Sequence, residues 1–403
     1  MELLENPVRP YAWGSRTVIA ELLGQPVPSP HPQAEMWLGA HPGDPSRLVR
    51  EDGSRTSLLE ALSGDPALLG EERRTRWSGT LPFLLKVLAA DEPLSLQAHP
   101  SLEQAQAGFA RENATGIPVD ASDRNYRDAN HKPELICALT EFHALVGFRD
   151  PVETIALLRA LDVPELAPYV ELLAAQPGPD GLRALFTTWI TLPQSLLDGL
   201  VPAVQRGAIS LAGTDGEWAR EARTALELSE RYPGDAGVLA ALLLNRVVLA
   251  PGEALYLSAG NLHAYLAGAG VELMANSDNV LRGGLTPKHV DVPELLRVLD
   301  FTAGPPPVHA GRPEGGWLRY DTPASEFLLR SWSAPDGLTG RLPVPDGGPR
   351  ILLSTGGKSC VRAGERVLEL PKGASLFLGA TDTGVEVESA APGTTLHLAS
   401  DGL

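Results

Sequence analysis

The sequence predicts a mainly β protein built from jelly-roll barrels: a chemistry-bearing barrel and a C-terminal barrel, with a helical segment inserted into the first. Three observations predict it. The 403-residue chain is 43% hydrophobic and holds 41 glycines and 36 prolines without a collagen-like period, so many turns surround a large core. Short apolar runs bounded by turn residues flank one stretch, 150–233, whose apolar spacing is helical instead. Leu249–Gly260 (LAPGEALYLSAG) is echoed in Leu370–Ala380 (LPKGASLFLGA), with Gly252 against Gly373 and Leu255-Tyr256-Leu257 against Leu376-Phe377-Leu378. Such an echo is expected when one turn-and-strand unit serves two related barrels. The domain boundaries that follow are 1–149 with 234–310 for the first barrel, 150–233 for the helical insertion and 311–403 for the C-terminal barrel.

Taken in order, Met1 to about Phe148 reads as short strands and turns with two helical patches. Arg47 to Thr56 (RLVREDGSRT) carries an Asp-Gly hairpin signal, and LPFLLKVLAA, the turn Asp91-Glu92-Pro93 and LSLQAHP read as two buried strands. Ser101 with Gln104 three residues on forms a capping box that starts a helix. Asp150-Pro151-Val152-Glu153 supplies an N-cap, a proline at the first helical position and an acid in the first turn, and apolar residues then recur at Val152, Ile155 and Leu158. Further helices are expected around Leu182–Ile190 and Trp218–Leu228, and the insertion is expected to pack beside a site without forming it. Strand grammar returns near Leu239 and continues through LNRVVLAPGEALYLSAGNLHAYL.

Fifty acidic residues against 33 basic ones give a net charge of −17, which argues against a nucleic-acid or anionic-membrane surface. Any anionic ligand must meet a local cluster of cations. Lysine is scarce: Lys86, Lys132, Lys288, Lys358 and Lys372 are all there are, so a lysine is unusually informative. Cys137 and Cys360 are too few for a disulfide framework, the N-terminus does not read as a signal peptide, and no run of about 18 uncharged apolar residues occurs. A cytoplasmic, monomeric protein acting on a small molecule is expected.

The polar residues of the strands suggest chemistry. Gln97 and His99 alternate onto one face of a strand, as do Lys132 with Glu134, and His263 with Tyr265. Two imidazoles, a carboxylate and an amide oxygen from three strands would suit a divalent metal with one position left open. Each pair alone is more often ordinary strand polarity. Lys86 sits inside an apolar strand, where an ammonium needs a carboxylate partner, a route to the rim, or a ligand phosphate. Arg282 and Lys288, in NVLRGGLTPKH, would join it around such a phosphate. Glu272 and Asp278 could each be a general base or a group that orients a metal ligand, and His41 has the same ambiguity. Glu35 and Trp37 read as positioning or packing residues, while His31, His143, His289, His309 and His397 read as ordinary histidines.

These passages resemble one family closely, the type I phosphomannose isomerases, which are cupins. The resemblance lies in NPVRPYAWGS (Asn6–Ser15), AEMWLGAHP (Ala34–Pro42), LPFLLKVLAADEPLSLQAHPS (Leu81–Ser101), NYRDANHKPELICALTEFHALVGFR (Asn125–Arg149) and the segment Pro251–Asp291. It implies a zinc-dependent aldose–ketose isomerase converting mannose 6-phosphate and fructose 6-phosphate through a cis-enediol. It also implies one zinc held by Gln97, His99, Glu134 and His263, with Arg282 as the active-site arginine. Ser95, Lys86, Lys132, Lys288 and Trp13 would line the sugar-phosphate pocket, with Tyr265, Glu272 and Asp278 forming the polar wall around the reacting carbons. Glu272 is the first choice for the base, Lys132 the second, and His41 a candidate for ring opening. A sugar-phosphate binding cupin without turnover and an iron-dependent cupin oxygenase are the alternatives; the extra glutamine and the lysines argue against the oxygenase.

Overall fold

The computed structural model describes residues 1–338 and 340–403. Among them the strands form three antiparallel sheets of eleven, nine and four strands, and no helix is long and apolar enough to cross a membrane. The eleven-stranded assembly is two sheets joined along one strand, His263–Ala275. Its first residues pair with Leu96–Ala98 and Phe142–Phe148; from Gly268 onward it pairs with Phe83–Ala90 and then Glu134–Ala138. Gly268 permits the change of partners: its φ is +110°, and a Cβ there would lie 2.4 Å from the Glu141 carbonyl oxygen. The two sheets thus face each other and pack Leu88, Ile136 and Leu255 against Phe142, Ala144 and Val146. The jelly-roll expectation is met with one correction. The sheets are open, because their hydrogen bonding is continuous only along the shared strand, and neither barrel closes.

Strand periodicity then decides what enters the space between the sheets. In Phe83–Ala90, Leu85, Val87 and Ala89 pack outward against the nine-stranded sheet, through Ile351, Leu353 and Phe377, while Lys86 and Leu88 turn inward. Leu135 and Cys137 likewise leave Glu134 and Ile136 inside, and Val271 and Leu273 leave Glu272 inside. On the opposite sheet Leu96, Ala98, Ala264 and Leu266 pack against the helices, which leaves Gln97, His263 and Tyr265 facing in. Covering both outer faces with apolar layers is what makes these strands read as apolar and still present a polar interior.

The helices Pro151–Ala160, Ala167–Ala175, Pro179–Ile190, Gln194–Ala212 and Ala219–Arg231 form the cover over one sheet. Asp150 caps the first through the Val152 and Glu153 amides, and Ser101 and Gln104 form the predicted capping box. Near Leu239 the expectation of a strand is corrected: Gly237–Ala241 is a short helix, entirely buried, and the strand begins at Leu244. The two echoed segments do share a structure. Gly252 (φ +87°) and Gly373 (φ +84°) each make a turn into a four-residue strand, Ala254–Leu257 and Ser375–Leu378. The nine-stranded sheet is not confined to the C-terminal residues, since Glu2–Glu5 pairs with Ser375–Leu378 on one side and Arg47–Val49 on the other.

Candidate active site

A buried chamber of about 50 Å³ lies between the facing sheets, walled by Glu35, Lys86, Gln97, Lys132, Glu134, His263, Tyr265 and Glu272. It shares Glu35, Lys86, Gln97 and Lys132 with an outer vestibule of about 610 Å³, where Trp13, Ser95, Asp278, Arg282 and Lys288 are found. The chamber sets three carboxylates against two ammoniums. Lys86 Nζ stands 3.0 Å from Glu272 and 3.7 Å from Glu35, and Lys132 Nζ 3.2 Å from Glu134. Burial opposes the charge on Lys86, yet Glu272, Glu35 and Glu134 overcome it and raise its pKa. For Glu272, burial prevails over Lys86, so its carboxyl is raised above the ordinary value; the Tyr265 hydroxyl donates to it at 3.0 Å.

His99, Glu134 and His263 converge so that one ligand atom from each lies within 4.8 Å of the others. The His99 Nδ1 is 2.8 Å from the Asn279 carbonyl oxygen and the His263 Nδ1 is 3.1 Å from that of Asn261. A carbonyl can only accept, so each Nδ1 carries the proton and each Nε2 presents a lone pair. Those lone pairs point at the Glu134 carboxylate, 3.4 and 3.5 Å away, and the His99 Nε2 is buried without a hydrogen-bond partner. Burial also lowers the His99 pKa to about 4, which keeps the ring neutral. Lone pairs facing a carboxylate repel unless a cation sits among them. The donor set therefore fits a divalent metal such as zinc. Gln97 is directly opposite His263 in the sheet and lines the same chamber.

At the vestibule rim stand Arg282 and Lys288, close enough to Arg127 to feel its charge. Burial and then Arg127 lower the Arg282 pKa, and burial, Arg282 and Arg127 lower that of Lys288. Like charges held this closely, with no carboxylate in ion-pair distance among the described residues, form a site for an anion. Asp278 faces the vestibule, and its carboxyl is lowered mainly by a hydrogen bond with His41. His41 itself stands behind it: its Nδ1 accepts from the Gly43 amide at 3.1 Å and its Nε2 is 3.5 Å from Asp278, so it reaches the cavity only through that carboxylate.

Sequence reasoning missed three residues here. Arg127 lies in the quoted stretch NYRDANHKPE, but nothing distinguished it among the many arginines. Arg231 and Tyr232, at the end of the Ala219–Arg231 helix, also line the vestibule, against the expectation that the insertion stays outside the site. No strand spacing could point to them, because they reach the cavity from another layer.

A metal-ready cluster beneath a cationic rim, inside a jelly roll, defines a metal-assisted enzyme for a small anion. Similarity to known proteins narrows the class. The catalytic domain of type I phosphomannose isomerases matches residues 1–151. The mannose-6-phosphate isomerase of Escherichia coli (strain K12) is 40% identical over 391 residues, covering 96% of this chain and 97% of the relative. The Homo sapiens mannose-6-phosphate isomerase is 32% identical over 94% of this chain and 93% of its own. Among solved structures, the Salmonella typhimurium mannose 6-phosphate isomerase bound to its substrate and a zinc atom superposes with a TM-score of 0.89 at 37% identity, covering 100% of both chains. The chain belongs to the type I phosphomannose isomerase family.

Proposed function

We propose that the protein interconverts D-mannose 6-phosphate and D-fructose 6-phosphate, using one zinc per chain held by Gln97, His99, Glu134 and His263. The observation that carries this reading is the pair of neutral imidazoles aiming lone pairs at one buried carboxylate, inside an opening where Arg282 and Lys288 have no carboxylate within ion-pair distance among the described residues. When bound, zinc supplies a Lewis acid for the oxygens at C1 and C2 of the open-chain sugar. The other steps belong to the chain. Arg127, Arg282, Lys288 and Ser95 hold the phosphate at the vestibule and fix the sugar's register, with Trp13 as a wall. Glu272 moves the proton between C1 and C2 through a cis-enediol: it stands in the chamber wall beside the metal-ready cluster, and burial raises its carboxyl above the ordinary value, which strengthens it as a base. Tyr265 orients that carboxylate and Lys86 compensates its charge. Lys132 keeps Glu134 ionised, and Asp278, backed by His41, serves ring opening.

The catalytic unit comprises 1–149 and 234–310, the insertion 150–233 and the C-terminal unit 311–403, with the strands Glu2–Glu5, Arg47–Val49 and Arg55–Ser57 of the first segment completing the sheet of the last. A monomer is the reading for the assembled protein, supported by one chain supplying every group named. It is assigned to the cytoplasm, in keeping with two free cysteines, of which Cys137 is buried.

Purified protein given fructose 6-phosphate should form mannose 6-phosphate, lose this activity with a chelator and regain it with zinc. Binding without turnover would contradict the reading, as would oxygen consumption in place of isomerisation.

A further inference from the structure

Arg231 and Glu92 face each other across the vestibule wall. Arg231 ends the helix Ala219–Arg231, and Glu92 lies in the turn after the Lys86 strand; the two side chains form an ion pair. The neighbouring Tyr232 hydroxyl donates to the Pro93 carbonyl at 2.7 Å, which fixes the end of the helix on that turn. Both members of the pair line the same vestibule as Lys86, Arg282 and Lys288. They are the point at which the helical insertion enters the site.

We infer that Arg231 is a substrate-positioning residue, held in reserve by Glu92 and transferred to the substrate's phosphate on binding. This rests on the sugar-phosphate reading of the vestibule. The Arg231 side chain is 46% exposed and that of Glu92 35%, so the pair lies in water, where such pairs contribute little, roughly 0–1 kcal/mol. A phosphate dianion offers more charge and the bidentate geometry that a guanidinium favours, so the exchange runs towards the ligand. Glu92 then has a definite role. In the empty site it occupies Arg231, and it repels any anion that does not displace it. The pair thereby favours a ligand carrying a dianion over the same sugar without phosphate.

Opposite signs test the idea. Arg231→Gln should raise KM for both sugar phosphates about five- to tenfold with kcat within about twofold, the scale of one solvent-screened charged contact. Glu92→Gln should lower KM about two- to threefold, since the guanidinium no longer has to be released. The double variant should match Arg231→Gln alone, because Glu92 acts through Arg231. A merely structural tie between insertion and turn would make both single variants worse, in KM and in Tm together. That pattern, or an unchanged KM in Arg231→Gln, overturns the inference while the isomerase reading stands. Wild-type protein that neither binds nor converts fructose 6-phosphate would overturn both.

Discussion

Replacing Glu272 with Gln isolates the proton-transfer role, because the amide keeps the shape and the hydrogen bond from Tyr265 but cannot act as a base. General base catalysis contributes about 10²–10⁴ in rate, so kcat should fall by at least about a hundredfold. Stability changes less. Breaking a buried ion pair costs about 3–5 kcal/mol when the remaining charge is left alone. Lys86 is not left alone, since Glu35 remains 3.7 Å away against 3.0 Å for the lost partner. About 2 kcal/mol is therefore expected, a fall in Tm of about 5 °C for a domain of this size. The metal cluster does not include Glu272, so zinc content should stay at the wild-type level. The assay is fructose 6-phosphate turnover by the purified variant, with elemental analysis and a melting curve on the same sample. Turnover within about threefold of wild type, at equal zinc content, would refute the assignment and move the proton transfer to Lys132.

Arg127→Ala should raise KM for the sugar phosphate about tenfold and flatten its dependence on salt, with zinc content unchanged; salt-dependent kinetics check this. Gly268→Val should destabilise the protein by at least about 3 kcal/mol in urea unfolding, because a β-branched side chain at φ +110° also meets the Glu141 carbonyl. Burial lowers the His397 pKa to about 4. The unfolded chain takes up that proton near pH 6.5, so it binds more protons than the native state between the two values. Stability should fall as pH drops from about 6.5 to about 4, by about 2 kcal/mol at pH 5 from this residue. His397→Gln should remove that part of the pH dependence; equal slopes for variant and wild type in urea titrations would contradict it.

The inward-facing residues were legible because strand alternation is a local rule. Lys86, Glu134, Glu272, Gln97 and His263 each lie on a strand whose apolar neighbours point the other way. The capping residues Ser101 and Asp150 were legible for the same reason, since each acts within three residues. What sequence could not supply was the third dimension. The bend at Gly268, which changes the partners of one strand, is made by a glycine no different in sequence from its neighbours in AYLAGAG. Gly237–Ala241 reads as a strand because burial on all sides removes the helical period. His41 stands close in sequence to the substrate-facing motif but behind Asp278, Arg231 reaches the vestibule from the helical insertion, and Arg127 acts on its rim by charge from a distant segment.

One zinc in the His99, Glu134 and His263 cluster makes this chain an isomerase of mannose 6-phosphate and fructose 6-phosphate. Titrating zinc into metal-free protein while following that interconversion tests it most directly. Activity should be absent at the start and rise in proportion to bound metal until one zinc per chain. Full turnover in verified metal-free protein, or zinc bound one to one without any turnover, would contradict it.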